Sequence, residues 1–164
     1  MSKTQDNLMS AFAGESQANR KYLAYAKHAD KEGLPQVAKL FRAAAEAETI
    51  HAHTHLRNAG KIHDTMTNLE DAISGETYEF TKMYPDMIKD AEAEGNTAVK
   101  KYFEWVNAVE EVHAKLYKKA LDAGGKMTDV DYYICGVCGY THEGAFKGKC
   151  PVCGAADSIF FKIS

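Results

Sequence analysis

The stretch "AGESQANRKY" at 13–22 is answered by "SGETYEFTKMY" at 74–84, and the match keeps its register well beyond both stretches. Glu15 falls on Glu76. Gly33 follows Glu15 by eighteen residues and Gly95 follows Glu76 by nineteen. From there Val37 matches Val99, Leu40-Phe41 matches Tyr102-Phe103, Glu48 matches Glu110 and His51 matches His113. Each half therefore carries one mid-segment glutamate and, on its next segment, one Glu-x-x-His. Any fold for this chain must present the two halves alike. Carboxylates on the packed face of an element need a partner, and a metal supplies one.

The first 123 residues read as helix. They are rich in Ala, Glu, Lys and Leu, strong helix formers. Breakers stand where a bundle would turn: Gly33 and Pro35, Gly60, Gly95, and Gly124-Gly125. Four helices are predicted at about 4–32, 35–59, 66–94 and 97–122, with Pro85 kinking the third. The longest connection, about 60–67, suits a crossover. The expected fold is an all-α four-helix bundle.

On a helix, Glu48 and His51 share a face at i, i+3, while His53 turns away and His55 returns one turn later. In the repeat, His53 and His55 correspond to Lys115 and Tyr117, so His51 and His113 are the candidate ligands. One Glu from each of two helices plus Glu-x-x-His from each of the other two is the donor set of ferritin-like di-iron proteins. Two divalent metals carry +4; four carboxylates neutralise it, and one imidazole caps each metal.

Residues 1–134 contain no cysteine; Cys135, Cys138, Cys150 and Cys153 form two C-x-x-C pairs eleven residues apart. That spacing fits a tetrahedral four-thiolate site, for iron or for a structural zinc ribbon. The expected organisation is a helical domain over 1–123, a linker over 124–130 and a metal-knuckle domain over 131–164. With 20 basic and 23 acidic residues the net charge is −3, which gives no electrostatic case for nucleic acid or an anionic membrane. No run approaches the ~20 apolar residues of a membrane span, and the opening has no apolar signal region. A cytoplasmic protein is expected.

"GESQANRKY", "EAETIH", "GETYEFTKMYP", "VEEVH", "CGVCGY" and "CPVCG" come in the order of the rubrerythrin family's motifs, and the resemblance spans nearly the whole chain. It implies metal ligands at Glu15, Glu48, His51, Glu76, Glu79, Glu110 and His113. Glu79 has no repeat counterpart, since Ala18 stands opposite it. The resemblance makes it a seventh ligand, one iron moving between His51 and Glu79 with oxidation state. Tyr22 and Tyr84 match the family's tyrosines near the site. The tail resembles rubredoxin, which implies iron on Cys135, Cys138, Cys150 and Cys153, with Tyr133, Tyr140, Phe160 and Phe161 as a small aromatic core. The implied activity is reduction of hydrogen peroxide to water. Its electrons would come from a separate NAD(P)H-dependent rubredoxin-type reductase through the four-cysteine iron. Iron storage with ferroxidase activity, or a zinc-ribbon module on a helical scaffold, are the alternatives.

Geometry adds an expectation about assembly. Twelve residues from Glu110 to Asp122 span about 18 Å of helix, and the connector "AGGKMTDV" reaches at most about 25–30 Å. The tail is then expected far from its own chain's carboxylates, and a head-to-tail homodimer would bring it to the partner's.

Overall fold

The computed structural model describes residues 2–163. The chain forms two compact units, one ending at His63 and one beginning at Asp64.

The first unit is a helical hairpin of α1 (Lys3–Lys31) and α2 (Pro35–Asn58). α2 places a buried alanine at every seventh position, Ala38, Ala45 and Ala52, with Ala59 just past its end. Side chains this small let two helical backbones approach closely. Asn19 of α1 uses that proximity, donating to the Ala45 carbonyl at 2.7 Å and to Thr49 Oγ1 at 2.9 Å. Gln5 reaches the Ala59 carbonyl at the hairpin's open end.

The second unit begins with α3 (Thr65–Tyr78), runs through a π-helical turn (Glu79–Met83) into α4 (Tyr84–Ala93), and returns along α5 (Thr97–Asp122). The same cap ends the first helix of each repeat half. Gly33 and Gly95 sit at φ +73 and +69, where L side chains are strained. Leu34 N–H then reaches back to the Ala29 carbonyl and Asn96 N–H to the Ala91 carbonyl, both at 2.9 Å.

The π turn accounts for the unequal halves. Tyr22 follows Glu15 by seven residues on a regular helix, whereas Tyr84 follows Glu76 by eight. The added residue is absorbed where Tyr84 N–H bonds to the Glu79 carbonyl, five residues back. Pro85 therefore falls in the first turn of α4, where its missing N–H costs little. The kink expected at Pro85 is in fact a π turn just before it.

The tail follows as a three-stranded antiparallel sheet in the order β2-β1-β3: β1 (Tyr132–Cys135), β2 (Thr141–Glu143) and β3 (Phe160–Lys162). Its aromatic core differs from expectation. Strand alternation turns Phe160 inward and leaves Phe161 exposed. Phe146 takes the vacant role, stacking on Phe160 at 4.0 Å between centroids, with Tyr140 edge-on to both. The fold class is the expected one, helical segments followed by a small sheet with a four-cysteine knuckle. No described helix is long and apolar enough to cross a membrane.

Candidate metal centres

In the first unit, α1 supplies Glu15 and α2 supplies Glu48 and His51; one donor atom of each lies within 4.8 Å of the others. His51 Nδ1 is 2.8 Å from Glu48 Oε2. Of the three histidines in "ETIHAHTH", only His51 joins a carboxylate cluster among the described residues. His53 is exposed and His55 half-buried.

The second unit repeats the arrangement with Glu76, Glu110 and His113. His113 Nδ1 lies 2.7 Å from Glu110 Oε2 and 3.9 Å from Glu76 Oε2. In both units the i, i+3 spacing of Glu-x-x-His aims Nδ1, rather than Nε2, at a carboxylate. This second cluster is the more enclosed, His113 being 28 % exposed against 55 % for His51. Burial, then the neighbouring Glu110, raises the Glu76 pKa to about 7. The hydrogen bond that His113 Nδ1–H donates to Glu110 raises the His113 pKa.

Glu79 opens the π turn, half-buried and outside the tight triad. Burial and then Glu110 raise its pKa, so it belongs to the same electrostatic neighbourhood. Tyr84 packs its ring 6.0 Å from Phe103. Its pKa is raised by burial and then by Glu110 and Glu79. Tyr22 packs on Phe41 in the first unit, 6.2 Å between centroids.

Two residues near the second cluster escape sequence reasoning. Tyr117 is one turn beyond His113, its pKa raised by burial and then by Glu76 and Glu110. Thr141 of β2 places Oγ1 3.0 Å from His113 Nε2. Both line a cavity of about 490 Å³ with Glu76 and His113. For Tyr117 a signal existed in the i+4 spacing. Thr141 had none, because its position depends on where the tail docks.

That docking differs from expectation. Val109 and Trp105 of α5 pack against buried Cys135, Cys138 and Cys150, and Gly139 lies against Val109. The tail folds back along α5 of its own chain, beside Glu110, and is not held far from it. The connector 123–131 turns soon enough for β2 to reach α5, where Lys119 Nζ meets Glu143 Oε2 at 2.6 Å.

Each knuckle turns backbone N–H groups toward sulfur. For Cys135, burial opposes charge, yet the N–H groups of Cys138 and Val137 outweigh it and hold the thiol below its ordinary range. Burial pushes Cys138 and Cys153 up. The four sulfurs lie within 4.8 Å of one another, with Cys135–Cys153 and Cys138–Cys150 each at 3.7 Å. Thiolates about 2.3 Å from a tetrahedral metal stand about 3.8 Å apart, whereas a disulfide brings them to about 2.05 Å. The cysteines thus fit a metal, and each carboxylate–imidazole cluster fits a harder ion such as iron or manganese.

Comparison with known proteins agrees with this division of donors. The rubrerythrin family model matches residues 6–121, and the model described as the rubredoxin-like domain of rubrerythrin matches 133–161. Nigerythrin of Nitratidesulfovibrio vulgaris is 35% identical over 92% of this chain and 81% of its own. Rubrerythrin-2 of Clostridium acetobutylicum is 32% identical over 96% and 95%. A solved structure titled as the partially reduced state of nigerythrin covers 99% of this chain and 88% of its own, with TM-score 0.60 and 33% identity. The chain belongs to the rubrerythrin family, with its di-iron helical domain followed by its rubredoxin-like four-cysteine domain.

Proposed function

We propose that the protein is a non-haem di-iron peroxidase that reduces hydrogen peroxide to water in the cytoplasm. A separate NAD(P)H-dependent, rubredoxin-type reductase is its electron donor. One observation carries the reading: the four-cysteine knuckle packs on α5, the helix that bears Glu110 and His113. An iron store has no need of a thiolate site in that place.

Glu15, Glu48, His51, Glu76, Glu110 and His113 would hold the metal pair, with Glu79 as the additional carboxylate. Cys135, Cys138, Cys150 and Cys153 would hold the single iron. When bound, the iron pair supplies two electrons to one peroxide O–O bond, and the thiolate-held iron restores them singly.

The chain's own residues handle protons and place. Each peroxide needs two protons with its two electrons to leave as two waters. Tyr84 and Tyr117 keep their hydroxyl protons at neutral pH, since burial and the neighbouring carboxylates raise both pKa values. They are suited to donate to a departing oxygen and to recover the proton from solvent. Val109 and Trp105 keep water from the face of the knuckle turned to α5. A homodimer also belongs to this reading. Its support is the exposed Leu40 and Ile50 of α2, large apolar side chains that call for a covering surface.

Protein purified without added metal, then supplied with NADH, reductase and peroxide under anaerobic conditions, tests the proposal. A red protein with about three irons per chain and sustained peroxide loss is expected. Iron uptake without peroxide turnover would replace the reading with storage. A colourless, zinc-loaded tail would remove the relay.

A further inference from the structure

His113 is held from both sides. Nδ1 faces Glu110 Oε2 at 2.7 Å, and Nε2 lies 3.0 Å from Thr141 Oγ1. The threonine hydroxyl has one proton, and the Gly139 carbonyl takes it at 3.3 Å. Thr141 therefore turns a lone pair toward the imidazole, and Nε2 supplies the hydrogen of that bond. A metal that displaced the proton shared by Nδ1 and Glu110 Oε2 would leave the imidazole its single N–H on Nε2 and free the Nδ1 lone pair for ligation. β2 holds the hydroxyl in place. Its pairing with β1 fixes the strand, Ile134 standing opposite Thr141 and Tyr133 opposite His142.

We propose that Thr141 is a positioning residue for the metal centre: its hydroxyl accepts the Nε2–H of His113 and fixes the tautomer that presents Nδ1 as ligand. The proposal deepens the reading of Glu76, Glu110 and His113 as ligands and rests on it. Partners of this kind orient a ligating imidazole and raise its basicity. Only one half of the repeat has the device. Among the described residues His51 bonds Glu48 through Nδ1, and no hydroxyl meets its Nε2. The two metals of the pair therefore differ in their dependence on the tail.

The full chain, its four-cysteine site already loaded, is titrated anaerobically with Co²⁺ and both binding steps of the helical site are followed. Thr141→Val removes the acceptor while keeping the shape. It is expected to weaken one step about tenfold or more and leave the other unchanged. The paramagnetically shifted imidazole N–H resonance of the Co²⁺ form should also exchange faster with water. Thr141→Ser restores both, and Thr141→Ala gives the same comparison where valine disturbs the knuckle. Lys119→Ala removes only the exposed ion pair to Glu143, leaves the pairing of β2 with β1 intact and keeps wild-type affinity. No weakening in Thr141→Val and Thr141→Ala, or equal weakening in Lys119→Ala, overturns the proposal. Wild-type protein that binds no Co²⁺ pair overturns the ligand reading beneath it.

Discussion

With no metal present, Glu76 sits half-buried beside Glu110, and burial together with that second carboxylate raises its pKa to about 7. A carboxyl with a higher pKa folded than unfolded stabilises the fold while protonated. Its contribution is complete below the ordinary 4.5 and is lost as pH rises through about 7. His113, raised above its ordinary 6.5 by the Glu110 hydrogen bond, acts in the same direction at higher pH. Metal-free protein should therefore melt at progressively lower temperature from pH 5 to pH 8. Glu76→Gln should flatten the lower part of that slope, and a Tm that rises over the range would contradict the account. With metal, the same residues make a sharper prediction. His51→Ala and Glu110→Ala should each lose di-iron binding while the tail stays red, and His53→Ala should change neither. Iron analysis and visible spectra decide it. These ligand candidates were legible in the sequence because Glu-x-x-His puts both donors on one helical face wherever the helix goes, and because the repeat marks Glu15 and Glu76. Tyr117 was marked only by its i+4 spacing from His113, and Thr141 not at all, since what it touches is set by tertiary packing.

Among the elements, the π turn has the most consequence for chemistry. Glu79 is its first residue, so the carboxylate stands where the helix is widened by one residue between Glu76 and Tyr84. The sequence recorded this turn as a spacing of nineteen against eighteen, but a count does not say whether the added residue becomes a kink, a loop or a π turn. Glu79→Ala should retain two irons, because both triads remain complete, and should slow peroxide turnover. Stopped-flow kinetics on protein of verified metal content check it. Unchanged rates would leave Glu79 as a charge on the helix surface. The tail's strands show the other limit of legibility. The knuckles were plain from cysteine spacing, yet Phe161 was expected inside and Phe146 was passed over. In a three-residue strand, nothing but the register with β1 decides which aromatic faces in.

At the scale of the whole chain, the proposed function depends on electrons passing from the four-cysteine iron to the di-iron centre. Cys150→Ser should stop multiple turnover and spare the first. Chemically reduced protein would consume one peroxide per di-iron site, because those two electrons are already in place. Sustained NADH-driven turnover in this variant would show that the tail is bypassed.

The route itself can be tested by mixing chains. Sequence length suggested a tail too distant from its own carboxylates to serve them. The structure instead packs the knuckle on Val109, four residues or about 6 Å of helical rise from His113. The link from β2 to α5 is equally local, through Thr141 and through the Lys119–Glu143 pair. Electron transfer falls steeply with distance, so the favoured acceptor is the cluster on the helix where the knuckle is docked. Consider chains carrying Cys150→Ser mixed, under conditions that exchange subunits, with chains carrying His113→Ala. Every intact His113 then sits beside a defective knuckle, and every intact knuckle beside a defective His113. Verified mixed oligomers should stay inactive with NADH and reductase. Recovery of peroxidase activity would mean that the knuckle serves a second chain's cluster, as a head-to-tail pair requires, and that its contact with α5 of its own chain is not the working one.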